Sequence, residues 1–438
     1  MFMTIETKDD KGEVDSKEEY QFIQEEIAHK KRKKWMTLIV KTIVSAVLFG
    51  IFGGLIFAWS GSFFLGVFRH NTDEKKISFA TEKPQQTEQP EETEKPKGVG
   101  NGKTNNQKEW DKAAFAIGSY EETFSAMSTL AENINQSIVT VSGLTESQDL
   151  FSNPIESENA TYGVVIASNS KDMLILTNYT KIKNAKQLRV TFQGDKSVKA
   201  ELYGKDSQVD LAVVGVPLNK IPMEISEKIK EAKLGDSYNN TAGTIVMALG
   251  SPNGHIYSMD IGFISGDYQD KYVVDYKLEL YNTSMQNHEK GEGIIVNLNG
   301  EIVGVITHNF SEEGNKTLHT FLGISRLKPI IEKMLNKQKQ VYTGVIGNDI
   351  TAEYASAFGV ASGIYITEVV TDSPAYNAEL KPGYLITEID GETVTSMIAY
   401  YSILSEYQVE DEIRVTVIDT TAGKPKTKKI VVTVQEKE

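Results

Sequence analysis

The apolar residues between residues 138 and 306 come in short runs, and this pattern limits the fold more than any other feature of the chain. Glycine, asparagine, aspartate and serine separate the runs, the clearest of which are residues 163–167, 173–176, 188–192, 211–216 and 244–249. Many brief strands with turn signals between them are typical of an all-β barrel or sandwich and not of βαβ units. We therefore predict a mainly β fold for this region.

A long uncharged segment stands near the start of the chain. Residues 42–68 contain no charged side chain, and about 20 apolar residues suffice to cross a bilayer. The basic run at residues 30–34 predicts a cytoplasmic N-terminus and extracytoplasmic folded domains. A cleaved signal peptide is the alternative, but its apolar core is only about 7 to 15 residues long. We predict a cytoplasmic tail over residues 1–35 and a single-pass membrane anchor over residues 36–68.

The residues that follow the apolar segment have a different composition. Residues 71–106 are rich in Thr, Glu, Lys, Pro, Gln and Gly and contain almost no apolar side chains. Such a stretch cannot offset the entropy lost on ordering. We predict a disordered linker over residues 69–118, followed by a helix from about residue 120 to 135.

Charge and cysteine content exclude several classes of function. The 46 basic and 60 acidic residues give a net charge of −14, which argues against general nucleic-acid binding. The absence of cysteine removes disulfides, thiolate metal sites and a cysteine nucleophile. We expect no cofactor and no metal site.

A glycine-rich loop carries the clearest functional motif. Residues 289–293 lead into an apolar strand at 294–296, a turn at 297–300 and a second strand at 301–306. This order resembles the nucleophile loop of the HtrA family of trypsin-like serine proteases, where Gly-Asn-Ser-Gly-Gly-Pro precedes a strand and a tight turn. In that register the serine falls on Gly291. A residue without a side chain cannot attack a carbonyl group, so the resemblance implies the loop without its chemistry.

The other two triad positions follow from the same resemblance. Leu176-Thr177-Asn178 matches the segment before the family's histidine and places Thr180 in the histidine slot. A threonine hydroxyl cannot act as a general base near neutral pH. Asp210 stands in the acid slot, where the alternative interpretation is a structural aspartate held by backbone donors and hydroxyls. His288 and His308 lie close enough in sequence to keep relocated catalysis open.

Further segments extend the resemblance over the whole β region. Residues 250–254, 261–265 and 323–331 are similar to family segments in the same order. The resemblance implies a trypsin-like double six-stranded β-barrel over residues 119–338, with Glu289 and Gly291 at the oxyanion donor positions. Glu289 and Glu292 stand where the family has glycines, and negative charge there opposes an oxyanion. The alternative is that both carboxylates are solvated on a loose loop.

The last hundred residues resemble a bacterial PDZ domain. The loop before residue 346, the strand at 363–369 and the segments 373–375, 380–386 and 389–391 match its signature in order. This implies an α+β domain over residues 339–438 that binds a peptide carboxylate through backbone N–H groups and adds the peptide as a strand. The implied peptide-binding residues are Tyr342, Thr343, Gly344, Val345 and Ile398. Plain core packing is the alternative for their apolar side chains.

Three hypotheses for the function follow. The first is a membrane-anchored extracytoplasmic pseudoprotease that binds peptide C-termini or unfolded segments through both folded domains. The second is an active HtrA-type serine endopeptidase for envelope protein quality control. The third is a regulatory subunit that assembles as a homotrimer or with an active paralogue. Thr180 and Gly291 favour the absence of enzymatic activity, and the sequence does not identify the bound peptide or the oligomeric state.

Overall fold

The computed structural model describes residues 77–78, 106–148, 154–193, 196–310, 317–421 and 425–437. The predicted cytoplasmic tail and membrane anchor, and most of the predicted linker, lie outside these residues. Among the residues that are described, no helix is both long and apolar enough to cross a bilayer. Helix α1 (Asn106–Asn135) begins inside the predicted linker. Its first residues include alanine, lysine and glutamate, which favour helix formation.

The next part of the chain forms a closed six-stranded barrel in the order β1-β2-β3-β6-β5-β4. Val141, Ile175 and Val214 are fully buried in its interior. Short helices follow β3 and β6, namely α2 (Tyr179–Ile182), a 3₁₀ helix (Leu218–Lys220) and α3 (Met223–Ser226). The strands are β1 (Ile138–Gln148), β2 (Pro154–Ser168), β3 (Asp172–Asn178), β4 (Gln187–Phe192), β5 (Lys196–Asp206) and β6 (Leu211–Pro217).

The second sheet has eight strands, not the predicted six, and follows the order β10-β11-β14-β13-β12-β8-β9 with β7 on β13. One bridge between Ile264 and Thr283 brings the end of β9 back to β11 and curls the sheet. The strands are β7 (Lys233–Leu234), β8 (Ile245–Ser251), β9 (Ser258–Phe263), β10 (Gln269–Val273), β11 (Tyr276–Gln286), β12 (Glu292–Val296), β13 (Glu301–Thr307) and β14 (Leu318–Gly323).

Helix α4 (Ile324–Leu335) follows the second sheet and covers part of the largest apolar core. Its buried positions recur every three or four residues, as expected for one face of a helix. These residues are Ile324, Leu327, Ile330, Ile331, Met334 and Leu335. The family-like segment 323–331 thus contains the start of this helix.

The C-terminal part is an α+β unit whose main sheet follows the order β16-β17-β18-β20-β21 with β19 on β18. Strand β16 stands at one edge, and β15 pairs separately with β22. Ser396 caps helix α7 by accepting a hydrogen bond from the N–H of Ala399. The elements are β15 (Val341–Tyr342), β16 (Val345–Asp349), α5 (Ala352–Phe358), β17 (Ile364–Val369), α6 (Pro374–Asn377), β18 (Tyr384–Ile389), β19 (Glu392–Thr393), α7 (Met397–Leu404), β20 (Glu412–Asp419), β21 (Lys426–Thr433) and β22 (Gln435–Glu436).

Close packing in the second sheet gives a stability prediction. A methyl group at Gly304 would overlap the ring of Phe321, which is itself fully buried. We expect Gly304→Ala to lower the free energy of unfolding by about 1–3 kcal/mol, as overpacking of a core does. Gly266→Ala is the matched control, because a methyl group there meets open space. Chemical denaturation of both variants would contradict this account if the two midpoints moved equally.

Candidate functional site

Thr180 and Asp210 meet at the position where the resemblance places a histidine and an aspartate. Thr180 lies in α2 directly after β3, and its backbone N–H donates to the Asp210 carboxylate at 2.6 Å. The side-chain amide of Asn178 donates to the other carboxylate oxygen at 3.3 Å. Asp210 has a left-handed backbone, with φ of 56°, at the turn into β6. Its carboxylate therefore holds the backbone of α2 and has no imidazole to orient.

The loop around Gly291 is closed by its own hydrogen bonds. The N–H of Gly291 donates to the carbonyl of His288 at 2.7 Å, and the N–H of Lys290 donates to Nδ1 of His288 at 3.1 Å. The N–H assigned to the oxyanion position is thus used within the loop. Glu289, the other implied donor position, is exposed.

No space is left for a side chain at Gly291. A Cβ atom there would overlap the carbonyl oxygen of Pro252 and lie 2.8 Å from Cε1 of His319 and 2.9 Å from the carbonyl oxygen of His288. Two of these neighbours are backbone atoms, which cannot move aside as the end of a flexible side chain can. The loop is therefore packed around glycine.

Glu292, at the start of β12, connects the second sheet to the part of the chain that forms the six-stranded barrel. Its carboxylate forms an ion pair of 3.1 Å with Nζ of Lys181 in α2 and accepts a hydrogen bond of 2.6 Å from the hydroxyl of Thr161 in β2. The side chain of Glu292 is only 11% exposed, so the interpretation of Glu292 as a solvated loop charge is wrong. A carboxylate this far from water needs such partners. Sequence reasoning missed Lys181 and Thr161, which carry no motif.

Tyr162 lies beside both carboxylates. Its side chain is completely buried, and among the described residues its hydroxyl has no hydrogen-bond partner. Burial, together with the nearby charges of Glu292 and Asp210, raises the pKa of Tyr162 well above its ordinary value. Tyr162 is therefore neutral at physiological pH and cannot supply a nucleophilic phenolate here.

The histidines near the loop are held in other roles. Nε2 of His308 lies 2.5 Å from the carbonyl oxygen of Gly291. A carbonyl oxygen only accepts, so this nitrogen carries the proton and cannot take one from a nucleophile. His319 is fully buried below the loop, and this burial lowers its pKa. The described residues contain no group of three or more His, Cys, Asp or Glu placed to hold a metal ion.

The predicted carboxylate-binding loop of the C-terminal unit already holds a carboxylate. The backbone N–H groups of Thr343, Gly344 and Val345 donate to the side chain of Asp275 at 2.7, 2.9 and 2.9 Å. The Thr343 hydroxyl donates to the same group. Asp275 lies in the turn between β10 and β11 and is 5% exposed. No sequence motif marks this residue.

The remaining predicted peptide-binding residues lie around this loop. Tyr342 ends β15 and is half-buried, and Ile398 is half-buried in the first turn of α7. Val345 begins strand β16, and Ile398 lies in helix α7. Their part in peptide binding stays a prediction.

Two family profiles match the chain. The profile of the trypsin-like peptidase domain matches residues 161–305, and that of the PDZ domain matches residues 365–418. Both matches fall where the barrels and the α+β unit lie. The fold and these matches define a trypsin-like peptidase domain followed by a PDZ domain.

Similarity to curated relatives narrows this class. A probable periplasmic serine protease, do/HhoA-like, from Haemophilus influenzae is 28% identical over 269 residues, which are 60% of this chain and 53% of the relative. The serine protease Do-like HtrA of Lactobacillus helveticus is 27% identical over 280 residues, or 60% of this chain and 66% of the relative. The chain spans about half the length of the Haemophilus relative. The chain is thus similar to HtrA-like serine proteases over the region where the two profiles match.

A solved structure supports the same fold. A variant of the HtrA-type protease AlgW, determined with a decapeptide, aligns with a TM-score of 0.51 and 19% identity, over 71% of this chain and 97% of that one. At this identity the likeness concerns the fold alone.

The Lys181–Glu292 pair gives a prediction for the cleft. Removing Lys181 leaves a buried carboxylate with one partner fewer, so we expect Lys181→Met to lower the free energy of unfolding by about 1–2 kcal/mol. A double-mutant cycle with Glu292→Gln should show coupling of about 1 kcal/mol or more. The exposed pair Lys339–Glu436 is the control, with 65% and 49% exposure, and should couple by less than about 0.5 kcal/mol. Equal coupling of the two pairs would show that burial plays no part.

His319 gives a prediction for the dependence of stability on pH. Burial lowers the pKa of His319 in the folded chain. As the pH falls through about 6.5, His319 is therefore protonated in the unfolded chain before it is protonated in the folded chain. Stability therefore falls below that pH, by at most about 1.4 kcal/mol per pH unit. We expect His319→Gln to lose less stability than the wild type between pH 7.5 and 5, measured by denaturant titration. The exposed His255→Gln is the control, and parallel curves for all three proteins would contradict the assignment.

Proposed function

We propose that this chain is a membrane-anchored extracytoplasmic HtrA-like pseudoprotease, which binds peptides or unfolded segments through its peptidase-like and PDZ domains without cutting them. One observation carries the proposal. The serine slot holds Gly291, and the atoms around it leave no room for any side chain. A protease of this class needs a nucleophile there.

The other catalytic elements support the same conclusion. Thr180 in the histidine slot offers its backbone N–H to Asp210, and its hydroxyl cannot serve as a general base. The N–H of Gly291 is used by His288, so it does not stabilise an oxyanion. Without a general base, a nucleophile and an oxyanion donor, the site lacks the groups that catalyse acyl transfer.

The cleft itself has a different use in this proposal. The Lys181–Glu292 pair and the Thr161 hydrogen bond hold the two barrels together where an active enzyme would place its triad. The cleft then works as a rigid scaffold for the surrounding surface. A polypeptide can bind such a surface without reaching a reactive group.

Peptide binding is proposed from the PDZ fold. Strand β16 is at the edge of its sheet, which is where a PDZ domain adds a peptide as a further strand. The related AlgW variant was solved with a decapeptide, and that fact belongs to that protein. For this chain, binding of peptide C-termini or unfolded segments is the proposal.

The anchor is proposed from the sequence. Residues 36–68 carry the uncharged segment and residues 30–34 the basic run that precedes it. In this proposal the N-terminus is cytoplasmic and the folded domains are tethered outside. The active endopeptidase is the second candidate, which the names of the curated relatives favour and the geometry at Gly291 opposes.

Proteolysis decides between these candidates. We expect the full chain, purified in mild detergent, to leave unfolded casein intact, because Gly291 in the serine slot has no nucleophilic side chain. The double variant Thr180→His, Gly291→Ser should also be inert, since a serine side chain overlaps the Pro252 carbonyl. An active HtrA-type protease in the same assay is the positive control.

A second readout tests binding apart from cutting. Fluorescein-labelled casein should show raised anisotropy with the full chain and remain intact on a gel. If the wild-type chain cleaves casein and loses that activity on His288→Ala or His308→Ala, catalysis has been relocated and the proposal is wrong. If casein stays intact and its anisotropy does not change, the proposed binding of unfolded segments is wrong and the proposed absence of cleavage stands.

A further inference from the structure

The PDZ carboxylate-binding loop is filled by a side chain from the peptidase-like domain. Both oxygens of Asp275 are engaged, one by the N–H groups of Thr343 and Gly344 and the other by the N–H of Val345. The carboxylate is buried, and these donors replace the water it would otherwise need. The loop therefore binds a carboxylate in the folded chain without any added ligand.

The backbone of Asp275 makes the same contact with β16 that a bound peptide strand would make. The N–H of Asp275 donates to the carbonyl of Val345 at 2.7 Å. A peptide that adds to β16 would use this carbonyl for its last residue and the loop N–H groups for its terminal carboxylate. Asp275 thus satisfies both requirements, with its side chain in place of the chain terminus.

The rest of the β10–β11 hairpin lies against the two elements that border the predicted groove. Nζ of Lys277 is 3.1 Å from the carboxylate of Asp349 at the end of β16. The ring of Tyr276 lies 4.3 Å, between centroids, from the ring of Tyr401 in α7. Tyr272 packs against the PDZ core. The hairpin is therefore held by several contacts, and a peptide cannot use the loop while these contacts persist.

We infer that Asp275 is an internal ligand of the PDZ domain, and that a peptide with a free C-terminal carboxylate binds the loop only after it displaces the β10–β11 hairpin. This inference rests on the proposed peptide-binding function and adds its regulation. An intramolecular ligand acts at an effective concentration in the millimolar range, so it weakens the apparent affinity of a free peptide strongly. A bound peptide in turn releases the hairpin from the PDZ domain, which links the two domains.

The first experiment tests the internal contact without any peptide. Hydrogen–deuterium exchange of the full chain in mild detergent is followed in fragments that contain Thr343–Val345. We expect Asp275→Ala to speed exchange of these amides at least tenfold, because their acceptor is removed. Asp270→Asn is the matched control on the same hairpin, with a partly exposed side chain, and should leave exchange unchanged. Unchanged exchange in Asp275→Ala, with circular dichroism showing both variants folded, overturns the inference.

The second experiment tests competition. The probe is a fluorescein-labelled peptide, QDKYVVA, which copies residues 269–274 and ends in a free carboxylate after one alanine. We expect the double variant Asp275→Ala, Lys277→Ala to bind it at least tenfold more tightly than the wild type. The same peptide with a C-terminal amide should bind neither protein, because the loop N–H groups then lack an anionic acceptor.

The outcomes separate this inference from the proposed function. Equal binding of the free acid by both proteins overturns the internal-ligand inference and leaves peptide binding in place. Binding by neither protein, with faster exchange in Asp275→Ala, refutes peptide binding and the competition, and leaves Asp275 as a contact that joins the domains. Tighter binding by the double variant, together with faster exchange in Asp275→Ala, supports both proposals.

Discussion

Buried carboxylates must be met by donors, and in this protein Glu292 and Asp275 are two of the buried carboxylates that join folded parts of the chain. Glu292 reaches from the second sheet to Lys181 in α2 and Thr161 in β2. Asp275 reaches from the second sheet into the PDZ loop, where backbone N–H groups surround it. A carboxylate removed from water is unfavourable without partners, so each contact fixes the position of the element that supplies the donors.

In the pseudoprotease proposal, the same requirement explains how the cleft keeps its shape without a triad. Asp210 still holds α2 through the N–H of Thr180, and Glu292 takes the place of a small residue beside Gly291. The loop around Gly291 closes on the carbonyls of His288 and Pro252 and excludes a side chain. In the proposal made above, this arrangement is a packed scaffold, and protease chemistry would require a different conformation of the Gly291 loop as well as different residues.

The PDZ domain, in the proposal made above, is a binding module whose site is already occupied. Its loop donors are committed to Asp275, and the hairpin contacts at Lys277 and Tyr276 hold that state. A displacing peptide has to compete with all of them at once. Such competition raises the apparent Kd of every peptide, so C-termini that bind weakly leave the site to Asp275. In this proposal the Asp275 carboxylate couples the peptidase-like domain to the PDZ domain.

Local patterns and motifs were enough to predict the mainly β fold and the PDZ unit, because strand periodicity and loop motifs are short-range properties. The structure brings Thr180 and Asp210 into contact, while the catalytic slots given to them and to Gly291 stay predictions. Tertiary packing decided the features that local patterns could not predict. Helix α1 starts earlier than its composition indicated, and the second sheet gains two strands. The roles of Glu292 and Asp275 depend on donors that lie far away in sequence, 131 and about 70 residues distant. Burial and partners are properties of the folded chain, so no local motif could reveal that either carboxylate joins two parts of the structure.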